Sequence, residues 1–149
     1  MEIRLMTADD YGRAYGLWER TPGMGLSSID DSEEGFRRYI KRNPSTSFLA
    51  VEHGKTVGTI LCGHDGRRGF IYHACVDKSH RAVGIGRALV ARALDALKEE
   101  GITKCALVTF QDNLIGNAFW SRSGWTLRKD LNYYNLVLNE ENKPSPVQG

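Results

Sequence analysis

Residues 76–87 read Val76-Asp77-Lys78-Ser79-His80-Arg81-Ala82-Val83-Gly84-Ile85-Gly86-Arg87. A β-prone run, Phe70–Asp77, ends here, and the longest amphipathic stretch of the chain begins. That stretch, Gly84–Glu100, sets Ile85, Leu89, Ala93 and Leu97 four apart. Val90 and Leu94 sit beside them, and Gly101 stands where a helix C-cap belongs. Two glycines at the mouth of the helix let the backbone approach a ligand closely. The first turn of a helix carries unpaired N–H groups and the positive end of the macrodipole. Lys78, His80, Arg81 and Arg87 add positive charge. Strand, glycine loop and helix together predict a phosphate-binding site.

Two other phosphate motifs are excluded. A P-loop needs G-x-x-x-x-G-K-[ST], and no such run exists. A dinucleotide fingerprint needs a third Gly or Ala three residues after the second and belongs in the first βα turn. Here Leu89 holds that place, past mid-chain, which makes an NAD-type binder a weak reading.

Working outward, residues 2–6 alternate as a strand, and Thr7 opens a helix with Asp10 in capping-box position. Tyr11, Ala14, Tyr15 and Trp18 form its apolar stripe, and Ser32–Arg42 is a second helix. Strands are expected at Phe48–His53, Thr56–His64 and Phe70–Asp77, joined by glycine-bearing turns. After the long helix come a strand at Lys104–Thr109, a helix at Leu114–Ser123, and strands at Trp125–Lys129 and Tyr133–Leu138. The order β-α-α-β-β-β-α-β-α-β-β predicts a mixed α/β sheet in one domain, residues 1–139, with residues 140–149 as a flexible tail.

Composition agrees. The 149 residues are 41% hydrophobic and 26% charged, enough for one proper core. No apolar run approaches a membrane span, and Met1–Met6 lacks a signal-peptide stretch, so the expected location is the cytoplasm. A net charge of +2 is too balanced to argue for nucleic acid or a membrane surface. The three cysteines, Cys62, Cys75 and Cys105, read as reduced, partly buried thiols. Cys62-x-His64 and His73-x-Cys75 flank one turn in a zinc-like spacing. With the turn at 65–69, His64 faces Phe70 and Cys62 faces Tyr72, so His73 and Cys75 point to the opposite face and no metal site is expected.

Arg81-Ala82-Val83-Gly84-Ile85-Gly86 resembles the [Q/R]-x-x-G-x-[G/A] pyrophosphate loop of the GNAT superfamily of acyl-CoA N-acyltransferases. Ala74-Cys75-Val76 resembles the strand segment of that family that pairs with pantetheine. Asn113-x-x-Gly116-x-x-Phe119-Trp120-x-x-x-Gly124-Trp125 resembles its N-x-x-A-x-x-[FL]-Y-x-x-x-G-F motif. The resemblance runs to about Leu138 and looks strongest toward small bacterial acetyltransferases. It implies a mostly antiparallel sheet with helices on both faces. It implies transfer of acetyl from acetyl-CoA to a primary amine of a small molecule, a peptide N-terminus or a lysine, in a ternary complex.

By that resemblance the amides of Ala82 to Arg87 hold the pyrophosphate, and pantetheine lies beside Cys75 and Val76 like an added strand. The Val76 N–H stabilises the oxyanion. Asn113 contacts the cofactor or orders its loop, with a plain helix N-cap as the other reading. Phe119 and Trp120 complete the cofactor side. Two departures stand out. Ala82 replaces a common glycine, which costs nothing if the loop avoids positive φ. Trp120 stands where many members carry the tyrosine acid, and Val108 where N-terminal protein acetyltransferases carry a glutamate base. A thiolate of thiol pKa about 8.5 leaves with little help, but the amine must still lose its proton. Tyr134, Tyr133, Tyr72 and His73 are the candidate substitutes. The missing acid–base pair also admits a reading as a CoA-binding sensor without turnover. Around the first interhelical loop, Asp30, Asp31, Glu33 and Glu34 read as helix-start acids or as an attraction for a cationic amine. The residues do not decide between a monomer and a homodimer.

Overall fold

Five strands form one sheet in the order β1-β2-β3-β4-β5. The computed structural model describes residues 1–144. β1 (Glu2–Leu5), β2 (Phe48–Glu52), β3 (Lys55–His64) and β4 (Gly69–Val76) are successively antiparallel. β5 (Cys105–Ala106) joins parallel to β4. The helices are α1 (Tyr11–Glu19), α2 (Glu33–Arg42), α3 (Ile85–Glu99) and α4 (Leu114–Arg122).

The sheet separates two cores because successive strand side chains point to opposite faces. In β2, Phe48 and Ala50 join Ile85, Leu89, Ala93 and Leu97 of α3, while Leu49 joins Ala14, Trp18, Phe36 and Ile40 of α1 and α2. Helices therefore cover both faces, as the resemblance implies. α3 ends as its sequence dictates: the Ile102 N–H reaches Leu97 O and the Gly101 N–H reaches Lys98 O, a Schellman cap with Gly101 at φ 80. α2 starts on Ser32, whose hydroxyl accepts from the Gly35 N–H. The Asp10 carboxylate accepts from the Thr7 N–H and from Arg4, tying β1 to the start of α1.

Two differences from the expected elements matter. The pairing puts His64 opposite Gly69 and Cys62 opposite Ile71, one residue from the expected register. His64 binds Glu100 and His73 binds Asp31, so the two histidines of the zinc-like spacing are engaged elsewhere. All three cysteines are free. Secondly, the strands expected at Trp125–Lys129 and Tyr133–Leu138 form no ladder among the described residues. Apolar and aromatic side chains supply strand propensity, but a strand exists only when a neighbour takes its N–H and C=O groups, and among the described residues none does. β5 is likewise shorter than Lys104–Thr109. Residues 141–143, tail-like by composition, are fastened to residues 28–30: Asn142 Oδ1 accepts from the Ile29 and Asp30 amides, and Lys143 O from the Ser28 amide. Residues 145–149 of the expected tail lie outside the described residues. Among those described, no helix is long and apolar enough to cross a membrane.

Candidate active site

β4 is bent. Thr59 pairs with Cys75 and Leu61 with Tyr72, so His73 and Ala74 together oppose Ile60 in a β-bulge, with His73 at φ 43. The bulge is locked from beneath. The Trp18 indole donates to Thr59 Oγ1 at 2.9 Å, and that hydroxyl donates to His73 O at 3.0 Å. On its other edge β4 pairs with β5 at Gly69 and Phe70, and among the described residues, residues 71–76 have no strand partner there. Past Phe70 the β4–β5 ladder stops, so Ala74, Cys75 and Val76 lie beyond the last β4–β5 pair.

The mouth of α3 lies at the end of this strand. After Val76 a short 3-10 turn, Lys78–His80, leads into the glycine loop. Gly84 is left-handed at φ 90 and is the N-cap of α3. Ala82 is left-handed too, at φ 65, so the condition under which alanine would cost nothing is not met. The first backbone bond of the helix is Ala88 N–H to Gly84 O. Among the described residues no bond from the amides of residues 82–87 to a backbone carbonyl is formed, which leaves a run of N–H groups at the positive end of a 15-residue helix. Behind it, Asp77 gathers Lys55 at 3.6 Å and Arg20 at 3.8 Å. Burial pushes its carboxyl up, but Lys55 and Arg20 outweigh that and hold it below the usual range. Arg81 folds back to donate from Nε to Val76 O at 3.2 Å.

α4 borders the loop. A Cβ on Gly86 would stand 3.3 Å from the Phe119 ring, so glycine lets the two helices approach. Trp120 is wedged edge-on between Phe119 and Trp125, each centroid 5.0 Å away. Asn113 caps α4: its Oδ1 accepts from the Gly116 N–H at 3.0 Å. The N-cap reading of Asn113 is thus the one its side chain realises here.

On the opposite face of β4, His73 Nε2 lies 2.7 Å from Asp31 Oδ1, with the two side chains only 11% and 9% exposed. The other Asp31 oxygen accepts from the Ser27 N–H at 2.7 Å, and the Tyr11 hydroxyl donates to Asp31 O. The His73 ring packs on Trp18, with centroids 4.7 Å apart. A cavity of ≈ 330 Å³, lined by Tyr11, Tyr15, Ser27, Ser28, Asp31 and Ser32 among others, opens beside this pair. Asp31 was legible only as an acid at a helix start, because nothing local to it points to a histidine 42 residues away.

The tyrosines divide. Burial raises the Tyr72 phenol, and the nearby Tyr133 raises it further, so Tyr72 stays protonated at neutral pH. Tyr133 thus approaches Tyr72, but Tyr134 is 86% exposed and is not brought to the site. Val108 is 56% exposed and carries no ionisable group to the cleft. Burial pushes the Cys75 thiol up to about 11.

Residues 11–125 match the Acetyltransferase (GNAT) family. The chain belongs to this family. An acetyltransferase of Photorhabdus laumondii is 36% identical over 117 residues, covering 76% of this chain and 78% of that one. The fold matches the crystal structure of Ard1 from Thermoplasma volcanium, with a TM-score of 0.75 at 19% identity over 85% of this chain and 83% of that one. It also matches a PaiA N-acetyltransferase from Thermoplasma acidophilum in complex with coenzyme A, with a TM-score of 0.71 at 17% identity over 96% and 95%. Among the described residues of this GNAT chain, no group of His, Cys, Asp and Glu is arranged to hold a metal ion.

Proposed function

We propose that this GNAT acetyltransferase moves acetyl from acetyl-CoA to a primary amine by direct attack in a ternary complex. The observation that carries the reading is the set of unpaired amides at residues 82–87, set beside the unpaired edge of β4. The amides and the α3 dipole take the pyrophosphate. Pantetheine adds to the edge at Ala74, Cys75 and Val76, and the Val76 N–H polarises the thioester carbonyl as the oxyanion develops. The CoA thiolate leaves without a dedicated acid, consistent with a packed indole at Trp120.

The amine enters from the face of α1 and α2, past Tyr11 and Tyr15, and its proton passes to His73. Asp31 orients that imidazole, as a carboxylate does in hydrolytic triads. Three residues of strand separate His73 from Val76, about 10 Å, so the proton reaches His73 by a relay of more than one hydrogen bond and not by direct contact. An acetyl-cysteine intermediate is disfavoured, because a thiol at about 11 is not a thiolate at neutral pH. Asp31 inside the cavity wall favours a cationic acceptor, whether a small polyamine-like molecule, a peptide N-terminus or a lysine.

Thermal unfolding with acetyl-CoA, CoA, NAD and ATP in parallel tests the cofactor. Ligand at 100 times its Kd stabilises by about 2.7 kcal/mol, a shift of several degrees. A shift with the CoA species alone supports the reading, and none with CoA refutes it. The absence of tyrosine and glutamate at Trp120 and Val108 favours a second reading, a CoA-binding sensor without turnover. CoA release in the presence of any amine separates the two.

A further inference from the structure

Residues 139–144 close on the loop that carries Asp31. Asn139 turns the segment: its Oδ1 accepts from the Glu141 N–H at 2.9 Å, and its carbonyl accepts from the Asn142 N–H at 3.1 Å. The turn presents Asn142 to the loop. Asn142 Oδ1 accepts from the Ile29 N–H at 2.8 Å and from the Asp30 N–H at 3.1 Å, and its Nδ2 donates to Asp30 Oδ2 at 2.9 Å. One amide side chain thus accepts two N–H groups and donates to a carboxylate. Aspartate would keep only the acceptors, and alanine neither. Ser28 adds a second grip: its N–H donates to Lys143 O at 2.8 Å, and its Oγ accepts from the Lys143 N–H at 2.9 Å. Beyond it, Ser27 bridges antiparallel to Pro144, which stands in the wall of the ≈ 330 Å³ cavity.

The two grips bracket the carboxylate that holds His73. The Ser27 N–H donates to Asp31 Oδ2 at 2.7 Å, and the Asp31 N–H donates to Ser27 O at 3.0 Å, which leaves Asp31 Oδ1 to His73 Nε2. Ser27 is fixed by Pro144 and Asp30 by Asn142, so the position of the Asp31 carboxylate depends on a segment more than 100 residues further along the chain.

We propose that Asn142 is a positioning residue, which sets the 27–31 loop so that Asp31 meets His73. The proposal rests on the proton route assigned to His73 above, and its test reads the clasp apart from that route. The variants are Asn142→Ala, Asn142→Asp, and Asn142→Asp/Asp30→Asn, in which amide and carboxylate exchange sides and the pair is remade. One readout is acylation of His73 by diethyl pyrocarbonate, followed by peptide mass spectrometry, with His64 on Glu100 as the internal reference. The other is the steady-state rate of CoA release. In Asn142→Ala, His73 should be acylated several-fold faster with His64 unchanged. Its kcat should fall about 10–100-fold while the KM for acetyl-CoA stays within about two-fold. Asn142→Asp should do the same, because two carboxylates then meet, and the double variant should recover both readouts. Equal protection of His73 in Asn142→Ala and wild type overturns the proposal. So does a loss of kcat that the double variant does not recover. A wild type that binds CoA yet releases none with any amine refutes the acetyl-transfer reading instead, and the protection of His73 then decides the clasp by itself.

Discussion

The imidazole of His73 and the carboxylate of Asp31 meet at 2.7 Å across 42 residues of chain, joining the bulge of β4 to the loop before α2. Under the proposed function, this contact ties the strand assigned to acetyl-CoA to the loop assigned to the acceptor. His73→Gln should lower kcat about 100-fold, in the range of a lost general base, while the KM for acetyl-CoA stays within two-fold. Asp31→Asn should lower kcat in the same direction by less. Steady-state rates of CoA release at saturating acetyl-CoA measure both. A parallel rise in acetyl-CoA KM would instead mean that the bulge itself had collapsed.

The loop 82–84 makes a separate prediction. Ala82 sits at φ 65, where an L side chain costs about 1–2 kcal/mol. Ala82→Gly should therefore raise Tm by a few degrees and leave CoA affinity intact, since only the amide is used. Gly84 at φ 90 faces open space, so Gly84→Ala should cost stability from backbone strain alone. Gly84→Asp adds a carboxylate where the proposed function puts the pyrophosphate and should abolish CoA binding beyond the loss in the alanine variant. Calorimetric titration of the three variants with CoA separates strain from charge; equal affinities in Gly84→Ala and Gly84→Asp would remove the phosphate from this loop.

Local signals shape some parts of this molecule and long-range contacts shape others. The element order through α4 and the cap at Gly101 were legible because they rest on local periodicity and one glycine position. The positive φ of Ala82 was not, because alanine there contradicts its own preference and only the surrounding loop imposes it. The β4 bulge at His73 depends on Trp18 and Thr59 from two other elements, and no stretch of β4 announces it. Residues 125–129 and 133–138 read as strands in the sequence, but pairing is a property of neighbours and not of the segment. Asp31 looked like one helix-start acid among four until the fold chose it.

Asp10 gives a pH-dependent prediction. Burial pushes its carboxyl up, but hydrogen bonds from Arg4 and the Thr7 N–H, with charge from Arg4 and Arg13, bring it net below 3.8. A group depressed in the folded state binds its proton more readily when unfolded. Its stabilisation is therefore fully present above the unfolded value near 4 and is lost as pH falls through the lower folded value. Asp10→Asn should cost about 1–3 kcal/mol at pH 7, by leaving the Arg4 guanidinium without its carboxylate. The difference from wild type should shrink below pH 4. Urea titrations at pH 7, 5 and 3 measure it; a difference independent of pH would assign the loss to packing.

Cys75 lies on the strand proposed to face acetyl-CoA, and a thiol in that place raises the prospect of a covalent acetyl-enzyme. Burial answers it by pushing the thiol to about 11, so fewer than about one molecule in a thousand carries a thiolate at pH 7.5. Cys75→Ala should keep kcat within about three-fold, because the cofactor contact assigned to this residue is made by its backbone. Alkylation of native Cys75 by iodoacetamide should be slow at pH 7.5 and accelerate only toward pH 11, with peptide mass spectrometry distinguishing it from Cys62 and Cys105. An acetylated Cys75 trapped after mixing with acetyl-CoA alone, together with an inactive alanine variant, would replace direct attack by a two-step transfer through this sulfur.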